Sequence, residues 1–216
     1  PANPTGWVAP LETLREILEF ARARGIWIVA DEVYHRFVYD RDIAPSFYEL
    51  IEPDDRVIFV NTFSKNWAMT GWRAGWISAP PEIGQVLENL IQYSTSGVAP
   101  FTQRAAVTGL NEGEPFIAMQ KERALRNRDV MCDALKATGR VELARPAGAF
   151  YLFFKVLGYP DSKKLALRII EEANVGLAPG SGFYTGGAEF LRMCFLRDPA
   201  QIDEGAQRLV GFLNKL

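Results

Sequence analysis

One lysine in this sequence stands where an amine could act as a nucleophile. The apolar run Val57-Ile58-Phe59-Val60 gives way to Asn61, Thr62, Phe63, Ser64 and then Lys65, and Arg73 follows eight residues later. A lysine amine can condense with an aldehyde to form a Schiff base. The Thr62 and Ser64 hydroxyls offer directional hydrogen bonds and the Arg73 guanidinium a fixed charge, a combination that seats a phosphate. An earlier apolar run, Ile26-Trp27-Ile28-Val29-Ala30, ends on Asp31-Glu32-Val33-Tyr34. An aspartate in that position can keep a heteroaromatic nitrogen protonated. Asn3 lies in the turn-forming stretch Asn3-Pro4-Thr5-Gly6. Arg192 interrupts the apolar stretch Phe190 to Leu196, where an arginine is costly unless it is paired.

These residues need elements to carry them. Leu11, Leu14, Ile17, Leu18 and Ala21 recur at helical spacing, with Pro10 suited to the first turn and Gly25 to the stop. The apolar runs at 26–30 and 57–60 suit strands buried on both faces, as in a parallel sheet flanked by helices. Helix followed by strand, repeated, argues for α/β architecture. A further strand is expected over Trp72 to Ala79, then a helix from near Pro81 carrying Ile83, Val86, Leu87, Leu90 and Ile91. Helices are expected at about 101–112 and 115–137. Beyond them the pattern changes to strands over Ala149 to Lys155, Val175 to Ala178 and Phe190 to Leu196, with helices over 162–173 and 199–215. The expected division is 1–128 as part of a large domain and 129–216 as a smaller α+β domain, joined by a long helix.

Composition narrows the function. Apolar residues make up 48% of the 216 positions, enough for a proper core. A net charge of -2 gives no footing for a nucleic-acid or membrane-surface partner, and no apolar run approaches the roughly 18 residues of a membrane span. Two cysteines are too few for a disulfide framework, which points to a reduced, cytoplasmic setting. No secretory leader is recognisable. The chain starts at Pro1 and runs at once into a motif, so a longer parent protein is expected.

In open α/β sheets, ligands bind at the carboxyl ends of the strands. Asp31 follows one such strand; Thr62, Ser64 and Lys65 follow the next. Pyridoxal phosphate needs this set: a lysine for its aldehyde, an acid for its pyridine nitrogen and donors for its phosphate. No metal is expected.

The sequence resembles the class I/II aminotransferases, pyridoxal-phosphate enzymes of fold type I. The resemblance rests on Asn3-Pro4-Thr5-Gly6, Asp31-Glu32-Val33-Tyr34, Ser64-Lys65 through Arg73, and Phe190-Leu191-Arg192, in the family's order. It covers the whole chain and matches the C-terminal part of a family member. It implies that Lys65 carries the cofactor as a Schiff base and shuttles the proton during a ping-pong transfer of an amino group between an amino acid and a 2-oxo acid. It implies that Asp31 pairs with the pyridine nitrogen, that Tyr34 and Asn3 hydrogen-bond the phenolic oxygen, and that Thr62, Ser64 and Arg73 hold the phosphate. Arg192 would bind the substrate α-carboxylate as a bidentate fork. A homodimer is implied as well. The family usually has Ser or Gly where this chain has Thr62, and a threonine hydroxyl can still donate.

Two other readings use the same residues: a carbon–sulfur lyase of the same fold, and an aminotransferase-like effector domain of a transcription regulator. Glu32 reads as structural. His35, the only histidine, is given no catalytic role. The tryptophans read as core, and the stretches Pro146 to Tyr151 and Pro179 to Phe183 as possible borders of the substrate.

Overall fold

In the computed structural model, which describes residues 1–216, the chain divides into two units. One comprises Pro1 and Val8–Ala118; the other comprises Ala2–Trp7 and Met119–Leu216.

The first unit begins with helix α1 (Leu11–Arg24), which buries Leu14, Leu18 and Ala21. Gly25 ends it in the left-handed conformation, donating its N–H back to the Ala21 and Arg22 carbonyls. Strands β1 (Ile28–Asp31), β2 (Val57–Thr62) and β3 (Gly75–Ser78) follow, in sheet order β1-β2-β3. β1 and β2 pair in parallel, with Asp31 opposite Val60. β3 joins antiparallel, with Gly75 opposite Thr62. Leu14, Leu18, Ala30, Phe47, Val57 and Phe59 form one core cluster under this sheet. Phe63, Ala74 and Ala106 form another, with Trp67 and Trp76 packed against it.

The apolar runs are not buried on both faces. Residues of β2 alternate between buried and half-buried, and Val29 in β1 is 64% exposed. The third strand starts later than the pattern suggested. Thr70–Trp72 form a 3-10 turn, and Arg73 takes a left-handed conformation at φ 52°, which no strand can contain. Gly75 then lies so close to β2 that a Cβ there would stand 2.4 Å from the Asn61 carbonyl oxygen. A one-turn helix, α2 (Phe63–Asn66), was not anticipated. Helices α3 (Gly84–Thr95), α4 (Pro100–Glu112) and α5 (Glu114–Ala137) follow, and the division between the units falls inside α5. The tryptophans split: Trp67 and Trp76 pack into the core, whereas Trp7, Trp27 and Trp72 are exposed.

The second unit holds a four-stranded antiparallel sheet in the order β4-β5-β7-β6. Its strands are β4 (Val141–Leu143), β5 (Tyr151–Val156), β6 (Ala178–Pro179) and β7 (Phe190–Cys194). β4 is too short to show a period and was not expected; β6 begins three residues after the start of the expected strand, overlaps it only at Ala178 and is two residues long. Helices α6 (Ser162–Ala173) and α7 (Pro199–Leu213) open on Asp161 and Asp198, whose side chains accept from the backbone N–H of Lys164 and Ala200. Leu152, Phe154, Ile169, Leu191, Phe195, Ile202 and Leu209 are almost wholly buried. At roughly 1.5–3 kcal/mol for each such side chain, these residues dominate the unit's stability.

Candidate active site

Within the first unit, the parallel register brings two polar strand ends to one edge of the sheet. Asp31 closes β1 and its carboxylate accepts from the Val33 backbone N–H at 3.2 Å. Tyr34, three residues on, is buried. β2 ends in Thr62, which caps α2: its hydroxyl accepts from the Ser64 N–H at 3.1 Å and donates to the Ala74 carbonyl at 3.1 Å. The Thr62 and Ser64 hydroxyl oxygens lie 3.0 Å apart. Lys65 sits half-buried in the single turn of α2, its Nζ 5.8 Å from the centroid of the Tyr34 ring.

The segment from Lys65 to Arg73 is pinned rather than free. The Thr70 hydroxyl donates to the Ser64 carbonyl at 3.2 Å, and the Met69 N–H donates to the Phe63 carbonyl at 3.2 Å. Arg73, exposed, donates from Nη1 to the Thr70 carbonyl at 2.9 Å. The guanidinium therefore hangs on the same turn that carries the hydroxyls and the amine. Thr70 is the residue the sequence reading missed here, since a lone threonine between Met69 and Gly71 carries no pattern.

Beneath this turn lies a polar layer. Asn66 is completely buried, its Nδ2 3.3 Å from Nδ1 of His35. That same His35 nitrogen lies 2.8 Å from the Glu32 carbonyl oxygen. Burial holds the His35 imidazole below its ordinary pKa of 6.5. Burial likewise pushes the Glu32 carboxyl above the usual carboxylate range, against the opposing pull of the Ser46 hydroxyl, which donates to it at 2.6 Å. His35 thus meets the turn through Asn66, whereas the Glu32 carboxylate is engaged by Ser46.

Asn3 and Arg192 belong to the second unit. Arg192 Nη1 donates to the Asn3 Oδ1 at 3.0 Å. The Asn3 segment is fixed by Gly6, whose carbonyl accepts from the N–H groups of Ala147 and Gly148 at 3.0 and 2.9 Å. Gly6 has φ +69°, and a Cβ there would stand 2.2 Å from the Pro146 Cβ, so only glycine fits. The Arg192 guanidinium carbon lies 4.5 Å from the ring centroids of both Tyr151 and Phe183. Neither ring was assigned a partner from sequence, although both fall in stretches singled out as possible borders of a substrate.

The donor set in the first unit matches the chemistry of pyridoxal phosphate: an amine, a carboxylate at an adjacent strand end, and two hydroxyls and a guanidinium on one pinned turn.

The family model for aminotransferase class I and II matches residues 1–209, and the chain belongs to that family. Its members depend on pyridoxal phosphate in general. The aspartate aminotransferase of Thermotoga maritima is 35% identical over 215 residues, covering 99% of this chain and 54% of the relative. A probable aspartate/prephenate aminotransferase of Aquifex aeolicus is 33% identical over 224 residues, covering all of this chain and 56% of the relative. Among solved structures, an aminotransferase from Mycobacterium tuberculosis superposes with a TM-score of 0.92 at 31% identity, over 100% of this chain and 56% of its own. The chain thus spans about half the length of these relatives, and its architecture is that of the fold type I aminotransferases.

Proposed function

We propose that this chain is the lysine-bearing part of a pyridoxal-phosphate-dependent aminotransferase, which moves an amino group between an amino acid and a 2-oxo acid by a ping-pong route. The observation that carries the reading is the α2 turn. A half-buried lysine amine follows a capping pair of hydroxyls, and the arginine on the same turn is tied back by Thr70. Family membership supports it independently, as do relatives named for transfer to or from aspartate, prephenate and N-acetyl-diaminopimelate.

Each residue then has a defined task. Pyridoxal phosphate, when bound, supplies an aldehyde for the amino group and an electron-poor ring that accepts negative charge. Ser64, Thr62 and Arg73 hold the phosphate. Thr62 already gives its hydrogen to Ala74, so Ser64 and Arg73 carry most of that work. Asp31 keeps the proton on the pyridine nitrogen. Tyr34 and Asn3 donate to the phenolic oxygen. The Lys65 amine would hold the cofactor by its aldehyde carbon, and the same amine would serve as the base that moves the proton at the substrate α-carbon. Arg192 takes the α-carboxylate as a planar fork.

The setting we infer is a cytoplasmic homodimer. Cys132 and Cys194 are not joined in a disulfide, which suits a reducing compartment. No helix is long and apolar enough to cross a membrane, and the net charge of -2 favours no nucleic-acid partner.

The test is turnover of an amino acid with a 2-oxo acid by the full-length protein supplied with pyridoxal phosphate. Lys65→Ala should lower kcat by at least about a thousandfold, the scale on which loss of a nucleophile that also serves as base is felt. Unchanged turnover in that variant would remove the proposal's basis.

A further inference from the structure

Arg192 is held in an unusual way. It lies on β7 opposite Phe153 of the neighbouring strand, so Tyr151, Phe153 and Arg192 share one face of the antiparallel sheet. Tyr151 covers one side of the guanidinium and Phe183 also contacts it, each ring centroid 4.5 Å from the guanidinium carbon and well inside cation–π range. Asn3 takes one N–H at Nη1. Nε is buried and has no hydrogen-bond partner. Aromatic contact and the burial of Nε thus exclude water from part of the cation, yet the charge has no carboxylate to answer it.

The ring of Phe183 is itself positioned. Its backbone N–H donates to the Gly180 carbonyl at 3.0 Å. Gly180 approaches the 187–190 stretch so closely that a Cβ would stand 2.3 Å from the Gly187 carbonyl oxygen and 2.6 Å from that of Phe190. Phe153 meets Phe183 edge-on at 6.4 Å between centroids and stacks on Phe190 at 4.6 Å. The loop is folded down onto the sheet, and its aromatic residue is delivered to the arginine.

We propose that Tyr151 and Phe183 are positioning residues that hold the Arg192 guanidinium flat and poorly hydrated, so that it selects a planar carboxylate over a neutral group of the same shape. The inference rests on reading Arg192 as the carboxylate site. A guanidinium fixed beforehand loses little freedom on binding, and one stripped of water gains more from an anion than from an amide. Ordinary packing would give the rings a part in stability but none in this selectivity.

The experiment is an NMR titration of the isotopically labelled 216-residue chain with propionate and, separately, with propionamide. Phe183→Leu should weaken propionate roughly 3- to 30-fold, the range spanned by cation–π contacts from exposed to desolvated sites, and leave propionamide unchanged. Phe183→Tyr should restore most of the loss. The Arg192 side-chain protons, shifted upfield by the rings in the parent chain, should move downfield in Phe183→Leu. Tyr151→Leu should behave likewise. Because Phe183 lies on a loop, its variant retains the test should Tyr151→Leu fail to fold. If Arg192→Leu abolishes propionate binding while Phe183→Leu stays within about twofold of the parent, the positioning role is wrong. If the parent chain binds no propionate, or Arg192→Leu binds it unchanged, the reading of Arg192 as the carboxylate site fails instead.

Discussion

The two units treat their apolar residues differently. In the second, β5 is buried from Tyr151 through Phe154, and the facing strand and helices contribute Leu191, Phe195, Ile169 and Leu209 at 1% exposure or less. In the first, helix α3 has no buried residue at all, though Val86, Leu90 and Ile91 recur at helical spacing. Tyr93 is 92% exposed and Phe101 71%. An apolar stripe at helical spacing is a demand for cover, not proof of it: the same kind of pattern is answered in α7 and unanswered in α3. Asp31, Tyr34, Thr62, Ser64, Lys65 and Arg73 of the candidate cofactor site lie in the less covered unit, yet the turn that carries Lys65 is ordered by short-range bonds from Thr62 and Thr70 rather than by a deep core.

Mutations should separate the units accordingly. Phe154→Ala in the second unit should cost about 3–5 kcal/mol, since the site is 1% exposed and closely packed; urea unfolding measures this, and a cost under about 1 kcal/mol would mean the core can collapse around the hole. Asn127→Ala should cost less, about 1–3 kcal/mol. Its buried Nδ2 donates to the Phe195 and Arg197 carbonyls at 2.9 Å each, and truncation leaves both without that donor. The next effect belongs to the first unit and depends on pH. Folding lowers the pKa of His35, so below about pH 6.5 the unfolded chain binds a proton that the folded chain resists. Stability should therefore fall as pH drops through 6.5 toward the depressed folded value. His35→Gln should flatten that segment of the stability–pH curve; an unaltered slope would assign the proton uptake elsewhere. Smallest of all, Val29→Ala on the exposed face of β1 should stay within about 0.5 kcal/mol of the parent in the same urea assay.

The sequence was legible where a period was long or a motif dense. Leu14, Leu18 and Ala21 marked α1, the helix expected over 199–215 is found at Pro199–Leu213, and the run into Ser64-Lys65 marked the strand end that matters most. It was illegible where a few residues act through tertiary contacts. Val141–Leu143 becomes a strand only because Val156, Lys155 and Phe154 lie opposite. Asn127 looks like any surface asparagine on a polar helix, and nothing local reveals that two distant carbonyls await it. The strand expected from Trp72 starts only at Gly75 because Arg73 has positive φ, a backbone state that arginine rarely adopts and that no propensity scale anticipates. For the candidate site, residue types and order were readable. The partners of Arg192 were not, since Asn3 and Arg192 are 189 residues apart in sequence.

The central claim is that Lys65 is the amine that meets the cofactor's aldehyde. The most direct measurement is to incubate the protein with pyridoxal phosphate, reduce with borohydride, digest, and map the phosphopyridoxyl group by mass spectrometry. The account predicts that the label falls on the peptide carrying Lys65 at near-stoichiometric yield and vanishes from that peptide in Lys65→Ala. A label spread over surface lysines such as Lys163 and Lys164, with Lys65 unmodified, would contradict it.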